Sequence, residues 1–137
     1  MNGQGPGSGG RDGGGRESVG ADELEQALRE YVEKANASPR ARKTLGTWTC
    51  RIHVEATDVP GARFTHVIEQ GSSHPVSRGL AGVPDLIVRG HSMDLAEIFW
   101  GDANPASNYM QGAITTRGRA EDVMRLDAMA MFVFLGQ

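Results

Sequence analysis

Apolar residues in the first third of the chain recur at helical spacing. Leu24, Ala27, Leu28, Tyr31, Val32 and Ala35 fall at i, i+3, i+4, i+7, i+8 and i+11, which places them in one stripe on one face of an α-helix. Asp22 stands where this helix would be capped, with Glu25 three residues on, as in a capping box. Ser38-Pro39 reads as a second N-cap with proline at the first helical position, and Gly46 is placed to end that short helix. From Trp48 the period drops to two: Trp48, Cys50, Ile52, Val54 and Ala56 point one way, and Thr49, Arg51, His53, Glu55 and Thr57 the other. That alternation predicts a strand with one wet face.

Asp58-Val-Pro-Gly61 supplies a turn, and Phe64–Glu69 returns as the hairpin partner. The stretch around Val76–Leu80 reads as a third strand, with Pro75 before it and Gly79 within it suiting an edge better than a sheet centre. Asp85–Arg89 reads as a fourth strand. Ser92 is placed to cap the next helix, with Asp94 in its first turn where the helix dipole favours negative charge. Leu95, Ile98 and Phe99 give that helix a buried face, and Gly101 is its expected C′ residue. Asn104-Pro105 opens a further turn of helix to about Met110. Ala113–Arg117 is the fifth strand. A last helix from about Arg119 to Leu135 turns Val123, Leu126, Met129, Ala130 and Val133 inward. Helices and strands grouped in this order indicate an α+β fold, a five-stranded, mostly antiparallel sheet with helices packed on one face.

Composition divides the chain unevenly. Of its 19 glycines, nine lie in the first twenty residues, where Met1 and Val19 alone are apolar. Such a segment buries too little surface to offset its ordering entropy, so residues 1–20 are expected to be a disordered arm and 21–137 one compact domain. The formal net charge of -3 speaks against a nucleic-acid surface; Arg40, Arg42 and Lys43 form one small basic cluster, read as a solvated face. Cys50 is the single cysteine, which excludes an intramolecular disulfide and zinc-ribbon spacing. Its place in an alternating run suits a small buried side chain. His53, His74 and His91 are expected at the surface, and no histidine or cysteine pairs with another at metal-ligand spacing, so neither metal nor cofactor is expected. No run reaches the ~18 apolar residues of a spanning helix and no signal-peptide pattern opens the chain, which points to the cytoplasm.

The order Asp85, Ser92 to Gly101, Asn104-Pro105, Tyr109-Met110, Gly112, Ala113–Arg117, Gly118 and Arg119–Met131 resembles the C-terminal half of the sterol carrier protein type 2 family. The resemblance extends from about Asp22 to Leu135, with Trp48–Gly79 matching only in general pattern. Relatives often carry lysines in the fifth strand, where this chain has Ala113-Ile-Thr-Thr-Arg117. Peroxisomal members end in a targeting tripeptide, where this chain has Leu135-Gly-Gln137. The resemblance implies a hydrophobic tunnel for fatty acyl chains, sterols or similar molecules. Apolar transfer of ~25 cal/mol per Å² then supplies affinity with few polar contacts.

On that reading the candidate ligand-binding residues are Ile52, Phe64, His66, Phe99, Trp100, Tyr109, Met110, Met124, Met129 and Phe132. Five of the six methionines lie between Met93 and Met131, and methionine adapts to varied apolar shapes. His66 shares its strand parity with Phe64 and Ile68, so an inward imidazole could orient a ligand's hydroxyl or carboxylate. The apolar run Met129–Leu135 is expected to close the tunnel mouth or to meet a second copy. The function implied is non-catalytic binding and transfer of a hydrophobic small molecule (fatty acid, fatty acyl, sterol-like or polyketide-like), by a monomer or weak homodimer. Membrane contact would be transient, because the first helix carries Glu23, Glu25, Glu30 and Glu33 outward. Two alternatives stand beside it: a cyclase, isomerase or dehydratase using His66 with a carboxylate in the same cavity, or a dimerisation module.

Overall fold

A computed structural model describes residues 16–110 and 112–136, without the side chains of residues 108–110. Five helices and six strands follow in the order α1 (Ala21–Ala37), α2 (Pro39–Leu45), β1 (Cys50–Ala56), β2 (Arg63–Glu69), β3 (Ser72–Ser73), β4 (Ser77–Arg78), β5 (Leu86–Gly90), α3 (Ser92–Trp100), α4 (Pro105–Met110), β6 (Ile114–Gly118) and α5 (Ala120–Leu135). The sheet runs β3-β2-β1-β5-β6, with β4 also on the free edge of β2. Every pairing is antiparallel except β1 with β5, which is parallel. The α+β architecture is therefore as expected, with six strands rather than five.

The extra strand has a local cause. Gln70 and Gly71 both have positive φ, 53° and 76°, the geometry of a two-residue hairpin turn that matches strand twist. It returns the chain at once, so Ser72–Ser73 pairs with β2 before Pro75, which lacks an N–H, interrupts the ladder. Pairing resumes at Ser77–Arg78. The expected edge strand Val76–Leu80 is thus two short pieces. A Cβ on Gly71 would collide with the carbonyl of Gly46, which fixes glycine there.

All six stripe residues of α1 are buried, and the helix packs against α3 and α5 over one face of the sheet. Inward residues of neighbouring strands stand opposite each other: Ile52 faces His66 and Leu86, and Val54 faces Phe64 and Val88. Ser38 caps α2 as expected, its hydroxyl accepting from the Ala41 N–H at 3.2 Å. Gly101 ends α3 in the left-handed region at φ 79°.

Four local expectations are corrected. Asp22 does not cap α1; Gly20 occupies that position without a side-chain bond, and Asp22 instead pairs with Arg78 at 2.6 Å. His91 rather than Ser92 caps α3, its Nδ1 accepting from the Met93 N–H at 3.1 Å. His53 is buried rather than wet, because the loop after β4 folds over it: Nε2 lies 3.0 Å from the Ala81 carbonyl, and neighbouring Thr65 bonds Gly79 and Ala81. The folded domain also begins before Ala21, since Arg16–Gly20 is docked against α3 and Val19 lies in the core. The rest of the expected arm lies outside the described residues.

Candidate functional site

Between the sheet and α1, α3 and α5 lies an apolar cavity of about 20 Å³, room for about one water. The sheet contributes Ile52, Val54, His66, Val88 and Ile114; the helices contribute Leu28 and Tyr31 from α1, Leu95, Ile98 and Phe99 from α3, and Leu126 and Ala130 from α5. Tyr31 and Phe99 meet across it with ring centroids 5.3 Å apart. The placement follows from period: the inward parity of β1, β2 and β5 and the inward stripes of three helices converge between the sheet and the helices.

His66 is the one ionisable imidazole in this lining. It is 1 % exposed, and burial pushes its pKa down to about 4, so it is neutral near pH 7. Its Nε2 lies 2.8 Å from the Ser73 hydroxyl. Ser73 is held in turn by Asn36 of α1, which accepts from the Ser73 N–H at 2.9 Å and donates to the Ser73 carbonyl at 3.0 Å. A neutral ring fixed in this way offers one hydrogen bond to a polar atom inside an apolar space. With a hydroxyl rather than a carboxylate as its partner and a pKa near 4, it is a weak base, which does not match the acid–base pairing of the enzymatic alternative.

The sequence-derived candidates separate into groups. Ile52, His66 and Phe99 line the cavity. Phe64 and Met129 are fully buried in the surrounding core. Trp100 is half-buried, and its carbonyl is 3.5 Å from the Lys34 ammonium. Phe132 is half-buried beside a surface groove of about 480 Å³ with Lys34, Ala37, Ser38, Val133 and Gly136. Met124 is 69 % exposed on the outer side of α5, so it does not face the interior. The side chains of Tyr109 and Met110 lie outside the described residues. The other lining residues (Leu28, Tyr31, Leu95, Ile98, Leu126 and Ala130 among them) were legible as inward helix positions, but nothing in their spacing separates a cavity wall from ordinary core. Cys50 is buried, and burial with the nearby Asp122 and Asp85 charges pushes its thiol up to about 12, which makes it inert.

A second polar cluster lies at the start of α3, away from the cavity. Asp58, from the turn after β1, accepts from the Ser92 N–H at 2.7 Å, the Ser92 hydroxyl at 2.8 Å and the Ser18 hydroxyl at 2.6 Å. Burial alone would raise its pKa, but the bonds from Ser18 and Ser92 outweigh that and hold it below the usual carboxylate range. Arg16 forks onto Asp94 at 2.7 and 2.9 Å, and the Val19 N–H donates to the Ser92 hydroxyl at 2.7 Å. These bonds clasp the N-terminal segment to α3. Sequence reading missed the cluster because its members come from three separate segments.

The architecture is that of sterol carrier protein 2. The chain is similar to a crystal structure of sterol carrier protein 2, at 18% identity and a TM-score of 0.58 over 81% of this chain and 93% of that one. It is likewise similar to the sterol carrier protein domain 2 of Helicoverpa armigera, at 20% identity and a TM-score of 0.56 over 82% and 86% of the two chains. Palmitated SCP2L2 from Aedes aegypti matches at 14% identity and a TM-score of 0.54, over 78% and 90%. No family model and no curated protein matches the sequence. No helix among the described residues is long and apolar enough to cross a membrane.

Proposed function

We propose that this protein is a cytoplasmic, non-catalytic carrier that binds one hydrophobic small molecule between the sheet and α1, α3 and α5. The observation that carries the reading is the apolar cavity with neutral His66 in its wall. Its setting in a sterol carrier protein 2 fold supports it, as does the palmitated form of the Aedes aegypti protein of the same fold. A space of about 20 Å³ is far smaller than an acyl chain, so uptake on this reading requires the helices to part. Ile52, Phe99 and His66 would meet the ligand first; Phe64 and Met129 would do so once the cavity widens. A long apolar ligand gains ~25 cal/mol per Å² of buried surface, and one polar end can use the His66 ring. Titration with a fluorescent fatty-acid analogue, followed by displacement with unlabelled palmitate, tests this. Saturable uptake that palmitate reverses is expected. A protein that leaves the probe in solution, and from which organic extraction recovers no lipid, would overturn the carrier reading.

A further inference from the structure

The described part of α5 is apolar on both sides. Leu126, Met129, Ala130 and Val133 face the core, yet Met124, Ala128, Met131 and Leu135 follow one another at spacings of four, three and four along the opposite face. Met124 and Leu135, at the ends of this stripe, are 69 % and 63 % exposed, and Ala128 and Met131 between them are half-buried. Its charged residues, Glu121, Asp122, Arg125 and Asp127, are confined to its first half, and a helix with apolar residues on two faces normally has a partner on each.

What borders the stripe identifies that partner. α2 packs along the same helix and presents Arg40, Arg42 and Lys43 to solvent with no acidic residue among its seven. The Arg40 guanidinium sits 5.8 Å from the centre of the Phe132 ring, so the cationic row adjoins the apolar one. Arg125 lies between them, bonded to the Leu45 carbonyl at 3.0 Å. This patch runs against the chain's net charge of -3 and against the acidic outer face of α1, where Glu23, Glu30 and Glu33 are exposed.

We propose that the outer face of α5 together with α2 docks on anionic lipid membranes, with Met124, Met131 and Leu135 entering the acyl boundary and Arg40, Arg42 and Lys43 meeting the headgroups. An apolar row edged by cations fits an interface that offers hydrocarbon and phosphate side by side. Free phosphate would leave the apolar row uncovered. A second copy joined through α5 would bring to the contact a second α2 with the same charges, and the exposed acid that α5 adds, Glu121, is already paired with Arg119 and Arg125 of its own chain. The inference stands on the surface alone and is independent of what the cavity holds.

Co-sedimentation with vesicles of phosphatidylcholine, with and without phosphatidylserine, tests it. Binding is expected only with phosphatidylserine, and it should fall as salt rises. Each Lys or Arg near such a surface is worth about fivefold, so the triple variant Arg40→Gln, Arg42→Gln, Lys43→Gln should bind at least about tenfold more weakly. The pair Met124→Ser, Leu135→Ser should lose several-fold while keeping the wild-type circular dichroism and melting curve, since both side chains are exposed. Failure to bind phosphatidylserine vesicles, or binding that neither variant changes, would overturn the proposal. A concentration-dependent dimer abolished by Met124→Ser, Leu135→Ser in a protein that ignores vesicles would assign the face to a second copy and overturn it equally.

Discussion

The cavity between the layers and the clasp at the start of α3 are held together by opposite kinds of force. Around the cavity, Leu28, Ile98, Leu126 and Ala130 meet through apolar contact, which has no direction and re-forms around a different shape. At the clasp, Asp58 alone takes three hydrogen bonds from two serines, each with a fixed donor and angle. A structure that must part to admit a guest separates most cheaply where its contacts are undirected. The comparison therefore assigns movement to α5 and its contacts, and fixity to the α3 start with its docked N-terminal segment. The effects below test that division, beginning with the largest.

Leu126→Ala removes a nearly buried side chain from the cavity wall and should lower stability by about 2–5 kcal/mol. If the wall is the yielding side, the enlarged space should also take up a fatty-acid analogue at least as readily as the parent. Urea unfolding and probe titration on the same variant read both quantities. A variant that loses stability and all uptake together would place a fixed structure, rather than a yielding one, at α5.

The next effect is a pH dependence. His66 keeps its proton off in the folded state until about pH 4, against an ordinary value of 6.5. Between these values the unfolded chain binds a proton that the folded chain does not, so stability is full above pH 6.5 and falls as pH drops toward 4. The loss amounts to about 3 kcal/mol when complete. His66→Leu should flatten this limb in urea midpoints measured across the range, because the replacement fills the wall without a titrating group. A limb unchanged in that variant would locate the proton uptake elsewhere.

How far these regions were legible in the sequence follows the same division. The α1 stripe, the Ser38-Pro39 cap, the Gly101 stop and the inward parity of His66 are local patterns, and each is realised. The cavity wall was legible as a set of inward positions for that reason. Met124 was misplaced through its residue type: the period of α5 turned Leu126, Met129, Ala130 and Val133 inward, and Met124 lies on the opposite face, whose apolar side chains resemble a pocket lining in composition alone. Met129–Leu135, expected to close the tunnel, divides the same way: Met129, Ala130 and Val133 are buried while Leu135 is exposed. The clasp was invisible. Its bonds join residues 34 to 78 positions apart, and glycine-rich composition hid the fact that Arg16–Gly20 docks at all. Ser92 carried the right chemistry for a cap, but Asp58 claims both its N–H and its hydroxyl.

On the clasp side, Asp58→Ala leaves the Ser92 N–H without its acceptor and should cost about 1–3 kcal/mol. The effect has its own pH signature. Because the folded state holds the Asp58 pKa below the ordinary 3.8, its contribution is present above that value and is lost as pH falls through the lower, folded one. The parent and Asp58→Ala should therefore differ at neutral pH and converge in strong acid, in midpoints measured on both. Uptake of the fatty-acid analogue should be unchanged wherever the variant is folded, because no residue of the clasp lines the cavity. Loss of uptake in a folded Asp58→Ala protein would join the two regions that the comparison separates.

Arg16→Ala should have the smallest effect, although its guanidinium bonds both carboxylate oxygens of Asp94. Arg16 is 45% exposed and Asp94 11%, so solvent screens one side of the pair and the gain is near that of a surface bridge, at most about 1 kcal/mol. Asp94 also keeps support when Arg16 is gone, since it lies in the first turn of α3, where the helix dipole favours its charge. The Ser18 and Val19 bonds continue to hold the segment. Arg16→Lys should lose part of the same increment, because an ammonium cannot reproduce the two-pronged contact. Both differences should shrink as salt is added. Urea midpoints at low and high salt would show this, and a salt-independent loss as large as that of Asp58→Ala would mean that the arm is held mainly through Arg16 rather than through the serines around Asp58.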